Sequence, residues 1–192
     1  MKKFLIAIIV FLLLLPAAFA KSDYYEFEES PKKIFGIAPG LRLSIIGLEP
    51  TLAIDFFNLE IEAGCAVSTG LDGKSLGIAP SLSLGYCTNP FERGSSTTFG
   101  AEYYLLSPSY TNLMNQLSED RTPTNGASIH AFSLFYKGAF HFNRHLGLLW
   151  RIRLPLFFGG DGQYFNITNP PGALLCCLAG IATVGVGVSF MF

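Results

Sequence analysis

The sequence is short of charge. Only 14% of its 192 residues are Asp, Glu, Lys or Arg, against about 25% in ordinary soluble domains. That is too little Lys and Glu to cover a surface facing water. A formal net charge of −1 offers no basic field for nucleic acid. Beyond residue 20 no apolar run reaches the ~20 residues that a membrane-spanning helix takes. Four cysteines, Cys65, Cys87, Cys176 and Cys177, are too few for a disulfide-built scaffold. Cys176 and Cys177 are vicinal and do not easily bridge each other, and no CxxC spacing suggests a metal centre. All four read as small apolar fillers, with Cys65 facing outward. No cofactor is implied.

What is present is apolar and small. Hydrophobic residues make up 50% of the chain, with 18 Phe and 20 Gly among its residues. Residues 1–20 carry the marks of a secretory signal peptide. Lys2 and Lys3 precede an apolar core from Phe4 to Leu15, and Ala18-Phe19-Ala20 supplies a small-x-small cleavage site. Its removal leaves 11 basic and 14 acidic residues, a net charge of −3. Residues 21–33, with Asp23, Glu26, Glu28 and Glu29 ahead of Lys32 and Lys33, read as a solvated periplasmic lead-in.

From residue 34 to Phe192 the chain alternates with period two, which makes strands whose two sides meet different surroundings. One face is greasy: Phe35, Ile37, Leu41 and Leu43; Leu52, Ile54 and Phe56; Leu82, Leu84 and Tyr86; Trp150, Ile152 and Leu154, continuing to Leu156 and Phe158. The other is Gly, Ala and Ser with scattered charges. The last strand, in the stretch from Leu178 to Phe192, sets Val186, Val188, Phe190 and Phe192 against Gly185, Gly187 and Ser189. Eight such runs can be counted. Short connections at Phe57-Asn58 and Asn143-Arg144, and a moderate one over Thr88 to Gly94, alternate with the long polar stretches 107–127 and 159–172. Two shorter odd connections, Ile46 to Glu49 and Thr69 to Lys74, complete the set.

An even number of alternating strands with unequal connections predicts an all-β fold: an eight-stranded antiparallel transmembrane up-and-down β-barrel, preceded by a signal peptide. The greasy face then points to lipid. The small-polar face lines a lumen only just wide enough for side chains to fill. By phase, Arg42, Lys137, Arg151 and Arg153 face Asp55, Glu60, Glu62 and Glu102 across that lumen. Four cations against four carboxylates predict a self-neutralised network, because buried charges persist when paired. Aromatics fall into two bands. Phe35, Phe56, Tyr86, Phe99, Phe142, Phe190 and Phe192 lie toward the ends with the tight turns, and Tyr103, Phe132 and Phe158 toward the others.

A terminal strand ending in a bare Phe, with Phe190 and Phe192 on one face, resembles the C-terminal insertion signature of bacterial outer-membrane β-barrel proteins. The whole pattern is similar to the small OmpA, OmpX and OmpW kind. That resemblance implies a cell outer membrane location and contact with outer-membrane lipid and the assembly machinery. It implies a structural or surface-interaction role with 107–127 and 159–172 displayed to an extracellular ligand, or a porin-like narrow channel for small or hydrophobic solutes. A third implied class is the lipid-modifying enzyme. Ser128 and His130, with Glu102 on the neighbouring strand, are the only candidates for it, and Glu102 is phased to the opposite face. His141 and His145 straddle a turn, lack a third metal ligand, and read as interface residues.

Overall fold

The computed structural model describes residues 34–44, 47–69, 75–88, 94–117, 127–142, 145–160, 163–168 and 170–192. The signal peptide and the lead-in expected before residue 34 lie outside these, as do 118–126 and the Asn143-Arg144 turn. Nine strands are described: β1 (Phe35–Ser44), β2 (Gly47–Phe56), β3 (Leu59–Thr69), β4 (Leu76–Thr88), β5 (Gly94–Leu106), β6 (Ile129–His141), β7 (Leu146–Gly160), β8 (Gln163–Asn166) and β9 (Gly185–Phe190). Two helices interrupt them, α1 (Pro108–Leu117) and α2 (Pro170–Ala182).

Each strand from β1 to β7 pairs antiparallel with the next. β9 closes the sheet by pairing with β7 on one side and β1 on the other, so eight strands form the barrel and β8 is a short flap on the far end of β7. The closure leaves no free edge along the paired lengths, which a terminal strand such as β9 would otherwise present. Tight reversals sit at the termini end. There Phe57 adopts a left-handed φ of 53°, and Asn58 Nδ2 donates to the Cys87 carbonyl at 2.8 Å, tying two hairpins together.

Burial along the strands follows the period. β4 alternates exposed and buried over all thirteen residues, and β2 nearly so. Large apolar side chains are the exposed ones: Leu82 is 57% exposed, Tyr86 61% and Phe192 67%. Arg42, Glu49, Glu102 and Arg151 are at most 1% exposed. The barrel is therefore greasy outside and charged inside, the reverse of a soluble one. A ten-residue strand tilted by about 40° rises roughly 25 Å, the height of the apolar band of outer-membrane barrels.

Four sequence expectations need correction. The stretch 107–127 is not simply a loop. Its first half is α1, whose Tyr110 and Leu113 are buried, Tyr110 against Ala66, Ala79 and Tyr104 at the barrel mouth. Gly77 lets the helix in, because a Cβ there would lie 3.0 Å from Tyr110 Cα. The stretch 159–172 likewise holds β8 and the start of α2.

The closing strand is shorter than expected, since Leu178–Ala182 belongs to α2 and pairing begins at Gly185. The period changes at that point. Gly172, Cys176 and Gly180 are buried at intervals of four, while Leu174, Cys177, Leu178 and Ile181 are exposed, which is helical spacing. Small residues bring α2 close to β7: a Cβ on Gly180 would stand 2.6 Å from the Arg153 carbonyl oxygen. α2 lies beside β7 between the register with β9, which ends at Arg151, and the register with β8, which begins at Phe157.

Finally, a bulge shifts the β6–β7 register between Phe132 and Ser133. One extra residue reverses the alternation beyond it. Phe157 turns outward, stacked on Phe132 at 5.9 Å, and Phe158 is half-buried instead of exposed.

Candidate functional site

The lumen is where the chain departs most from ordinary chemistry. Strands β1 to β3 and β5 to β7 each send at least one ionised side chain inward, and these side chains meet. Glu62, in β3, is the hub. It contacts Arg42 Nη1 at 2.8 Å, Lys137 Nζ at 3.1 Å and the Arg151 guanidinium. Arg42 continues to Glu49 at 2.9 Å. Arg153 holds Glu49 at 3.1 Å and Glu102 at 2.6 Å, and Arg151 reaches Glu102 at 3.6 Å. Lys137 also pairs with Glu60. The result is one connected chain of ions from Glu60 at the termini end to Arg153 under α2, where Arg153 Nη1 donates to the Thr183 carbonyl at 3.0 Å.

Neutral groups complete it. Ser81 Oγ donates to Glu49 at 3.1 Å and Thr98 Oγ1 to Glu60 at 3.2 Å. The Arg151 guanidinium lies 3.8 Å over the Phe135 ring, and that of Arg153 is 5.3 Å from Tyr104. Planar guanidinium groups stack on aromatic faces while their edges bind carboxylates. Glycine supplies the room, since a Cβ on Gly64 would come within 2.9 Å of Glu49 Oε1.

All eight charged residues expected inside are buried there. Glu49 joins them, although in the sequence it reads as the end of a turn. Extending β2 by one alternation, Glu49-Thr51-Ala53-Asp55, was the signal that could have placed it. Its arrival overturns the expected self-neutralised count, because the described lumen holds five carboxylates against four cations. The unmatched acid is Asp55, which enters none of the ion pairs among the described residues and whose Oδ1 has no hydrogen-bond partner. Phe135 and Tyr104 add aromatic bulk to a face expected to be small and polar.

No protein-family model and no curated protein matches the chain. Among solved structures, a major outer membrane protein from Thermus thermophilus aligns over 82% of this chain and 98% of its own. The identity is 12% and the TM-score 0.35, too weak a likeness to carry an argument.

The three histidines separate. His130 is on the outer wall, with Nδ1 2.5 Å from the Tyr103 hydroxyl. Glu102 is in the lumen opposite Ser133 and bound to Arg153, so Ser128, His130 and Glu102 do not assemble. His141 is not an interface residue, because it is only 6% exposed, inside the barrel. His145 lies outside, its Nδ1 3.0 Å from the Met191 carbonyl oxygen, so the two do not share a site. Cys87 is buried, as a filler would be. Its thiol lies within 4.8 Å of carboxylate oxygens of both Asp55 and Glu60. No helix among the described residues is long and apolar enough to cross a membrane.

Proposed function

We propose that this protein is a bacterial outer-membrane barrel whose lumen is closed to solutes, and that it acts as a structural or surface-interaction element. One observation carries the reading: aliphatic and aromatic side chains cover the outside while an ion network crosses the inside. In lipid such an exterior is solvated, and closure lets backbone groups pair along the sheet instead of with water. In water the same exterior is an apolar patch far beyond what monomeric soluble proteins tolerate.

Two features support the closed lumen. The network spans six strands, and α1 packs Tyr110 beside Ala66, Ala79 and Tyr104 at the opposite mouth. In this reading 107–127 and 159–172 are the outward face, where an extracellular ligand would dock, with the termini in the periplasm. Phe190 and Phe192, both on the outer wall, are the terminal features that the assembly machinery would read. Exposed Phe35, Phe56, Phe99, Phe142 and Tyr86 around the same rim fit an interfacial aromatic girdle.

The test is reconstitution of the refolded barrel in planar bilayers, with heat-modifiable gel migration as proof of folding. A folded barrel should give no stepwise conductance. Regular conductance steps from heat-modifiable material would refute the closed lumen, and a chain that stays monomeric in water without detergent would refute the membrane assignment.

A second reading, a lateral route for apolar solutes, is favoured by one feature. On the side away from β6, β7 has no ladder partner from Ile152 to Pro155, and α2 stands there instead. Uptake of an apolar dye into proteoliposomes, without ion conductance, would select it.

A further inference from the structure

The unmatched Asp55 does not stand alone. At the termini end of the lumen, Asp55 from the end of β2, Glu60 from the start of β3 and Cys87 from the end of β4 each bring one donor atom to a common place, all within 4.8 Å of one another. All three residues are buried. A small cavity of about 30 Å³ opens beside them, lined also by Lys137, His141 and Met191. The Nδ1 of buried His141 has no hydrogen-bond partner. Asp55 Oδ1 is in the same condition. Two unpaired buried polar atoms around one cavity are a costly arrangement for structure alone.

We propose that this cavity is a binding site for one borderline divalent transition-metal ion of the zinc type, held by Asp55, Glu60 and Cys87, with the fourth position open to the cavity. The donors choose the ion. A thiolate donor beside two carboxylates disfavours magnesium and calcium, which take six or more oxygens, and favours zinc-like ions. Zinc bonds of about 2.0–2.3 Å hold tetrahedral ligands roughly 3.3–3.8 Å apart, so the three donors, within 4.8 Å of one another, need close by at most about 1.5 Å.

Charge points the same way. With all five carboxylates ionised, as ligation by Asp55 requires, the described lumen carries five negative charges against four cations, a net −1. When the ion binds, the Cys87 S–H proton is released to solvent and its sulfur bonds the metal as thiolate. The lumen then holds −2 from protein and +2 from metal, and is neutral. Lys137 keeps Glu60 and Glu62 as partners on its own side, and Thr98 Oγ1 orients Glu60 at 3.2 Å. Such outer partners aim a ligand and raise its affinity.

The probe is cobalt(II), which reports a thiolate ligand through a near-ultraviolet charge-transfer band and tetrahedral geometry through intense visible bands. It is titrated into the full barrel refolded in detergent, in a form where Cys65, Cys176 and Cys177 are serine, so that Cys87 is the sole thiol. One cobalt per chain with both bands, displaced by zinc, is expected. Cys87→Ser should lose the charge-transfer band. Asp55→Asn should bind at least about tenfold more weakly, because losing a direct ligand costs more than the roughly 10–100-fold seen for a partner of a ligand. Heat-modifiable migration establishes that each variant is folded. No band in the Cys87-only barrel, a band that survives Cys87→Ser, or undiminished affinity in folded Asp55→Asn would each overturn the site.

Discussion

Glu62→Gln removes one charge from the centre of the network while keeping its shape. Glu62 contacts Arg42, Lys137 and Arg151, and all four side chains are at most 9% exposed. A contact near 3 Å at an effective dielectric of about 20 contributes roughly 5 kcal/mol of Coulomb attraction. Most of that is offset by desolvation, and breaking a buried pair costs about 3–5 kcal/mol because an uncompensated charge remains. Three cations lose their common partner here, so the upper end applies, about 5 kcal/mol.

The assay is urea unfolding in lipid vesicles, followed through Trp150, the only tryptophan, which packs on Tyr136 at 5.2 Å. With a slope of about 1–3 kcal/mol per molar urea, the midpoint should fall by about 2 M or more. Asp55→Asn is the control. It removes the one carboxylate of the described lumen that enters no ion pair, and the metal-free barrel should be as stable as before or more so. If Glu62→Gln shifts the midpoint by less than the ~0.5 kcal/mol typical of surface substitutions, or if Asp55→Asn costs as much, the network does not hold the lumen and the electrostatic reasoning is wrong.

Two further outcomes follow from the wall. Leu82→Arg places a charge at the middle of β4, where Leu82 is exposed; it should cost about 2–4 kcal/mol in vesicles, and a variant as stable as the parent would contradict a lipid-facing wall. Gly180→Ala should destabilise α2, although alanine ordinarily favours a helix by about 1 kcal/mol, because the added Cβ would stand 2.6 Å from the Arg153 carbonyl oxygen. Faster maleimide labelling of Cys176, buried on the same helix face, measures the displacement, and an unchanged rate would mean that the helix does not rest on β7.

Strand phase is a local property, and the residues displayed it. Alternation along β2, β3 and β4 assigned Leu82, Ile54 and Tyr86 to the outside and Glu60 and Glu62 to the inside, because successive side chains of a strand must point to opposite faces. Scarce charge and an even strand count did the rest for fold class. Whatever depends on how strands are laid against one another stayed hidden. The inward placement of Glu49 needed the true length of β2, and the outward turn of Phe157 needed a bulge that one extra residue makes. α1 and α2 form where small residues meet a wall already built, at Gly77 and Gly180, so tertiary contact rather than periodicity decided them. The meeting of Asp55, Glu60 and Cys87 also belongs to the third dimension. These residues come from three strands, and only pairing register and barrel curvature bring their donor atoms into one small space.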